Sequence, residues 1–462
     1  MTEVLAWSPD MLRTGEVSAS KLLETCLARI EALNASLGAF ITVTADEAHA
    51  QARAADAAFA DGRLLGPLHG LPIVIKDNID TAGVRTTVGS RFFQDTVPAR
   101  DAAAVARLRE AGAVLVGKTL LHEFAFGGTT QNPHYGSCRN PWDTTRIPGG
   151  SSGGSAVAVA TGMCFAALGT DTGGSVRLPA ALTGACGLRP TQGLVSNRGV
   201  FPTTWSFDTV GPIAKTVIDL ALILQVMAGF DHDDPGSIPS DPVSYNESLE
   251  RDIRGIRVGV PTSFYFEEID PEITERVTDA LDLLSQLGAQ IVEVKLPGAA
   301  EARDLTSLML GTEAYAIHRG RLETQSDLFG DDVRRRLLLF QGVTGAEYAV
   351  ALQQSRVWRR TLEDVFGRVD TVISPAFGVV APRIEDAEMV ETTRRLTRLT
   401  FGWTLAGVPA LAVPCGFSET GLPIAMQLAA APWQEAVLLR LGAAYQRATT
   451  WHLQEPEGRM TF

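Results

Sequence analysis

Residues 149–177 constrain this chain more than any other stretch. They open as Gly149-Gly150-Ser151-Ser152-Gly153-Gly154-Ser155, run through an apolar segment to Leu168, and close as Gly169-Thr170-Asp171-Thr172-Gly173-Gly174-Ser175-Val176-Arg177. Two loops of small residues thus flank a segment that must be buried. Glycine-rich loops are needed where backbone takes positive φ or comes very close to another group, and successive N–H groups in such a loop can converge on one point. A negative oxygen suits that point. The N–H groups of Thr172, Gly173, Gly174 and Ser175 would surround a place that the Ser175 hydroxyl also reaches, which makes an oxyanion hole beside a nucleophile. The first loop offers the hydroxyls of Ser151, Ser152 and Ser155 but no histidine or carboxylate, so a base must come from elsewhere. Lys76, at the end of the short apolar run 71–75, stands out.

Single motifs suggest other chemistry, and each fails on context. Gly112 to Thr119 matches the phosphate-loop pattern GxxxxGKT, yet Ala113-Val114-Leu115-Val116 reads as a strand where a phosphate cradle needs a loop. Gly149-x-Ser151-x-Gly153 matches a nucleophile elbow. That elbow follows a strand, whereas residues 138–148 read as loop, and His232, His318 and His452 lack the setting of a triad histidine. The seven histidines contain no close ligand pair, since His122-Glu123 lacks a second histidine four residues on, so no metal site is expected. Lys118 also follows an apolar strand. An exposed strand-end lysine is the plain reading of either residue, but burial depresses a lysine pKa and turns it into a base.

Taken together, Lys76, Gly149 to Ser155 and Asp171 to Arg177 resemble the amidase signature family, with 75 residues from Lys76 to Ser151 and 24 from Ser151 to Ser175. The likeness runs from the N-terminal helices to Gly421-Leu422-Pro423-Ile424. It implies that Ser175 attacks an amide carbonyl, that Ser151 passes the proton, and that neutral Lys76 receives it, with Lys118 outside the triad. It further implies a cis Gly150–Ser151 peptide, an oxyanion hole at Thr172, Gly173 and Gly174, and bracing by Ser152, Asp171 and Arg177. Phe124, Phe126, Gly127 and Gly128 fall where family members line the acyl pocket; the two phenylalanines suit an apolar or aromatic acyl group and equally suit a core. The implied fold is α/β, one large domain over residues 1–462 with a central mixed sheet and helices on both faces. Its parts would be N-terminal helices at about 8–62, a signature core at about 66–230, and later decoration and sheet completion at about 250–455.

The activity implied is an amidohydrolase without metal or cofactor, read first as a stand-alone enzyme acting on a small-molecule amide, with homo-oligomerisation open. The alternative is the glutaminase subunit of a tRNA-dependent amidotransferase. Such subunits are expected to carry an acidic residue before Leu405-Ala406-Gly407, where this chain has Arg394, Arg395, Thr397 and Arg398. A non-catalytic binding module is a third possibility, which the complete triad disfavours.

Length alone would suggest about three domains for 462 residues; the resemblance favours one. With 40 basic against 53 acidic residues the net charge is −13, so the electrostatic footprint of a nucleic-acid or anionic-membrane binder is absent, and no nucleic-acid or membrane partner is expected. The five cysteines are odd in number and widely spaced, as in a reducing cytosol. Met1-Thr2-Glu3 does not open a secretory signal, no apolar run reaches spanning length, and a cytoplasmic location is expected.

Along the chain, Ser8-Pro9 opens a short helix, and a cap at Ser18 or Ser20 precedes the helical stripe Leu23, Leu27, Ile30, Leu33. A helix is expected over 45–60, another from an Asp101 cap to Glu110, and others at 155–161 and from Pro179. Residues 231–246 read as a surface loop, and 256–294 as a βαβ unit with its helix at 271–287. Strands are expected at 372–374 and 410–413. The arginine runs 334–336 and 359–360 read as solvated helix faces.

Overall fold

The structure is a computed structural model that describes residues 9–241 and 243–456. The Ser8 helix start and the reading of Met1 to Glu3 lie outside the described residues.

Eleven strands form one sheet: β1 (Phe40–Val43), β2 (Pro72–Lys76), β3 (Val114–Thr119), β4 (Ala166–Thr170), β5 (Cys186–Arg189), β6 (Val210–Ala214), β7 (Arg257–Pro261), β8 (Gln290–Val294), β9 (Thr371–Pro375), β10 (Ala410–Phe417) and β11 (Pro423–Ala429). Their spatial order is β1-β3-β2-β4-β6-β5-β10-β11-β9-β7-β8. The sheet is mixed: β2 runs parallel to β3 and β4, and β7 parallel to β8 and β9, while β4, β6, β5, β10, β11 and β9 pair antiparallel in that order. Helices flank it, as the α/β expectation required. Strand β3 contains Gly117, Lys118 and Thr119, which accounts for the phosphate-loop match as part of a buried strand.

The parallel set positions the site. Because β2 and β4 run side by side with Ile75 opposite Leu168, their C-terminal ends and the loops that follow emerge at one edge. Helix Gly153–Ala160, every residue of it buried, precedes β4 and so starts at that same edge. Gly154 lets it seat there: a Cβ would lie 2.3 Å from the Ala39 carbonyl oxygen and 2.6 Å from the Leu120 backbone.

The βαβ unit is present as β7, helix Pro271–Gln286 and parallel β8. Ser18 caps helix Ala19–Leu37, its hydroxyl accepting the Lys21 N–H, and Gly38 in the left-handed region ends it. Asp101 does not cap helix Ala103–Glu110. Its carboxylate takes the Ala82 N–H at 2.7 Å and pairs with Arg109 at 2.9 Å, so the helix begins without a side-chain cap. The expected loop at 231–246 gives way at its end to a short helix, Tyr245–Ser248.

Candidate active site

Lys76 ends β2 with no exposed surface. Its Nζ donates to Ser151 Oγ at 2.8 Å, to Thr170 Oγ1 at 2.8 Å and to the Thr170 carbonyl at 3.4 Å. Thr170 Oγ1 also accepts from Asn78 Nδ2 at 3.1 Å. Among the described residues, no carboxylate touches the amine. Burial pushes Lys76 down to about 7, against the opposing pull of Asp208 and then Asp171. An amine at that value is a base near neutral pH.

The Gly150–Ser151 peptide is cis. Ser152 donates its N–H to the Ser175 carbonyl at 3.2 Å, and its hydroxyl reaches the Thr170 carbonyl at 3.3 Å, so it joins the two loops. Ser155 faces away from the site, bonded to Thr119 Oγ1 and the Leu168 carbonyl. Of the three positions expected to form the triad, Ser175 alone keeps exposed surface, 9% against 0% for Ser151 and Lys76.

The loop from Asp171 to Arg177 is braced from beneath. Asp171 accepts Arg177 Nε and Nη2, each at 3.0 Å, and a further contact from Arg189 at 3.2 Å. Burial would raise its pKa; the two guanidiniums reverse that and hold the carboxyl well below its usual range. Arg177 continues to Gln427 Oε1 at 2.7 Å and Thr404 Oγ1 at 3.1 Å, which locks the loop to β11 and helix Phe401–Ala406. Asp171 also takes the Gly174 N–H at 2.8 Å. That donor is therefore committed to a carboxylate, in contrast to the expected oxyanion set. Among the described residues, the N–H groups of Thr172, Gly173 and Ser175 have no acceptor within the chain.

Phe124 departs from the expected pocket lining. At φ 55° its ring turns into a cluster with Phe92, Phe93, Phe201, Phe329 and His318, the last 4.2 Å away between ring centroids. Phe126 does line a cavity of about 160 Å³, with Leu310, Thr393, Thr397 and Phe401. Phe401 and Leu310 also flank Gly173, which places the cavity against the loop that carries Ser175. At Gly127 a Cβ would fall 2.2 Å from His122 Nε2, so a side chain there would displace the buried His122 ring; Gly128 donates its N–H to Thr393 Oγ1 at 3.0 Å.

Three residues at the site escaped the sequence reading. Asp208 sits in a short polar context without a motif, and Thr170 lies inside the second small-residue loop, where nothing local marks it as the partner of Lys76. Arg336 lies in the run read as a solvated face: Arg334 and Arg335 do pair with Asp331 and Glu388 at the surface, but Arg336 turns inward on the turn that buries Val333 and Leu337. Its guanidinium lies 4.4 Å from the Phe126 ring centroid, donates to the Phe126 carbonyl at 2.9 Å, and lines the cavity. That helical register was the available signal. The residues before Leu405 divide in the same way: Arg394 and Thr397 line the cavity, whereas Arg398 donates to the carbonyls of Phe264 and Glu267.

Comparison with known proteins corrects one expectation. The A subunit of glutamyl-tRNA(Gln) amidotransferase from Chloroflexus aurantiacus is 45% identical over 469 residues, covering 96% of each chain. The solved structure of the corresponding A subunit from Thermotoga maritima superposes with a TM-score of 0.84 at 32% identity, covering 100% of this chain and 99% of its own. A structure described as a vestigial protein complex that reveals the origins of an s-triazine catabolic enzyme superposes at 0.91 with 36% identity, covering 95% and 97%. Relatives named as part of a tRNA-linked enzyme overturn the expected partner set of a small-molecule amide with no nucleic acid; a chain's net charge says nothing of the subunits it assembles with. No helix among the described residues is long and apolar enough to cross a membrane. The amidase family model matches residues 21–439, and the chain belongs to the amidase signature family of hydrolases acting on amide C–N bonds.

Proposed function

We propose that this amidohydrolase works as the glutaminase subunit of a tRNA-dependent amidotransferase, freeing ammonia for a partner chain. The observation that carries the reading is the contact of a wholly buried Lys76 with Ser151 in a chain that matches the glutamyl-tRNA(Gln) amidotransferase relative over 96% of its length. In the proposed reaction neutral Lys76 draws the Ser151 proton as Ser151 takes that of Ser175, and Ser175 Oγ bonds the amide carbon. The N–H groups of Thr172, Gly173 and Ser175 face the developing oxyanion, while Gly174, bound to Asp171, shapes the loop. Lys76 returns its proton through Ser151 to the leaving nitrogen, ammonia departs, and water releases the acyl group. Ser152, Asp171 and Arg177 hold the loops; Phe126, Gly127 and Gly128 border the acyl group.

The test is glutamine hydrolysis, followed as ammonia, with the chain alone and with the other amidotransferase subunits and glutamyl-tRNA added. The expected result is turnover that rises on addition of the partners. Turnover of another amide by the chain alone, with glutamine untouched under every condition, overturns the reading.

A further inference from the structure

Asp208 stands just before β6, at the point where the β4–β6 pairing continues past the strand ends into the nucleophile loop. Asp171 donates its N–H to the Thr209 carbonyl at 2.8 Å, and Thr209 returns its own to the Asp171 carbonyl at 3.2 Å. This extra rung sets Asp208 beside Thr172. Asp208 Oδ1 accepts the Thr172 hydroxyl at 2.6 Å and that of Thr204 at 3.1 Å; Oδ2 accepts the N–H groups of Thr203 at 2.8 Å and Thr204 at 3.2 Å. Thr203 in turn donates its hydroxyl to the Phe124 carbonyl at 3.1 Å, on the segment that leads to Phe126, Gly127 and Gly128.

One buried carboxylate thus ties three segments together: the nucleophile loop, residues 203–204, and the segment bordering the cavity. The contrast with Asp171 is informative. Asp171 is clamped by two guanidiniums, whereas the hydrogen bonds to Asp208 all come from neutral groups, two hydroxyls and two amides. Among the described residues no cation is in contact with Asp208, and Arg189 acts on it only from farther off, so the carboxylate keeps an outward field. The arrangement suits a group that orients its surroundings and also acts on a charge nearby.

We propose that Asp208 is a positioning residue for amide cleavage, holding Thr172 so that its N–H and that of Gly173 face the reacting carbonyl, and favouring the protonated form of Lys76 as the proton is taken up. The inference rests on the assignment of Ser175, Ser151 and Lys76. The charged groups that act on Lys76 from beyond contact are Asp208, from the loop before β6, and Asp171, with Asp208 the stronger influence; burial raises the Asp208 carboxyl above its usual range, and the hydrogen bonds from Thr172, Thr204 and Thr203 pull it back toward the charged form. Arg189 on β5 faces both carboxylates, and Arg177 faces Asp171. Asp77 and Lys118 pair with each other.

The experiment uses the full chain and phenylmethanesulfonyl fluoride, so that neither the substrate nor a partner chain has to be known. Ser175 Oγ bonds sulfur, the S–F bond breaks, fluoride leaves, and the serine proton passes through Ser151 to Lys76. The second-order labelling rate is measured against pH, with the modified residue mapped by mass spectrometry. Asp208→Asn is nearly isosteric and can still bond the same threonines after an amide flip. Loss of its charge removes support for Lys76-H⁺, so the acid limb of the profile moves to lower pH, by about half a unit or more. Thr172→Val keeps the charge and loses the tether: labelling at the plateau falls by about tenfold, and the limb stays in place.

A merely structural aspartate would lower the rate in Asp208→Asn without moving the limb, and that result overturns the assignment. So does near-normal labelling of a folded Thr172→Val, which also serves if Asp208→Asn does not fold. A wild-type profile that Lys76→Ala leaves unchanged is a different failure: it removes the triad reading on which this inference stands.

Discussion

Two wholly buried lysines sit on neighbouring parallel strands, and they live in opposite company. Lys76 on β2 and Lys118 on β3 are one rung apart, with Ile75 opposite Lys118 and Lys76 opposite Thr119. Both have their pKa lowered by burial. Lys118 answers that penalty locally: its Nζ donates to the Ile79 carbonyl at 2.7 Å and Thr86 Oγ1 at 2.6 Å, and Asp77 lies 3.5 Å away. Asp77 opposes the shift most directly, with Asp80 and Asp101 adding to it. Lys76 has hydroxyls and a carbonyl instead, and its carboxylates act only from a distance. The same kind of lysine is therefore paired with a carboxylate as an ionic staple in one place and, in the proposed reaction, left to act as the proton acceptor in the other, and the difference lies in who stands within hydrogen-bond reach.

The largest effect that can break this comparison is on catalysis. Lys76→Ala should lower kcat/KM by at least about 10²-fold, the low end for general acid–base catalysis. Lys118→Ala, assayed per folded molecule, should stay near the wild-type rate. The check is turnover, or Ser175 labelling, after circular dichroism confirms that each variant is folded. A folded, inactive Lys118→Ala beside an active Lys76→Ala would exchange the two roles.

Stability should divide the pair the other way. Removing one partner of a buried ion pair leaves the other uncompensated, at a cost of about 3–5 kcal/mol. Lys118→Ala strands Asp77, whose remaining support comes from the Thr87 N–H and hydroxyl. Chemical denaturation should show that loss, and Lys118→Met combined with Asp77→Asn should recover part of it. A loss confined to Lys76→Ala would show that the staple is misplaced.

How far the sequence revealed this arrangement depends on the range of the forces involved. The two small-residue loops and Lys76 are legible because close backbone approach and an apolar strand leave local marks. The unit from Arg257 to Val294 is legible for the same reason, since its strand and helix periods lie in consecutive residues. The sheet order is not: β10 and β11 lie between β5 and β9, pairings that join residues more than two hundred positions apart in the case of Ala410 and Arg189. Side chains with several possible partners were misread for a related reason. Asp101 has the composition of a cap, yet the Ala82 N–H and Arg109 claim it. Phe124 sits two residues from Phe126 and still turns into an aromatic core, because a positive φ breaks the local pattern. Lys118 and Lys76 share one local context, and only the family register separated them beforehand.

The smallest effect sharpens the comparison most. With its amine pushed down to about 7, Lys76 is mostly protonated at pH 6 and mostly neutral at pH 8. Only the neutral form accepts a proton, so kcat/KM should rise through about pH 7 and then level off. The same depression sets the sign for stability. The folded pKa lies below that of an unfolded lysine, so the unfolded chain binds the extra proton, and this group's contribution to stability grows as pH climbs from about 7 toward the ordinary lysine value. A Lys118 variant that folds should leave the kinetic limb where it is, because its charge is already balanced by Asp77 and the pair acts on Lys76 almost as a neutral unit. The measurement is a kcat/KM profile from pH 5.5 to 9 for wild type and for Lys118→Met combined with Asp77→Asn. A limb that moves in the double variant would mean that the staple sets the base, and the two lysines would then form one coupled device rather than two separate ones.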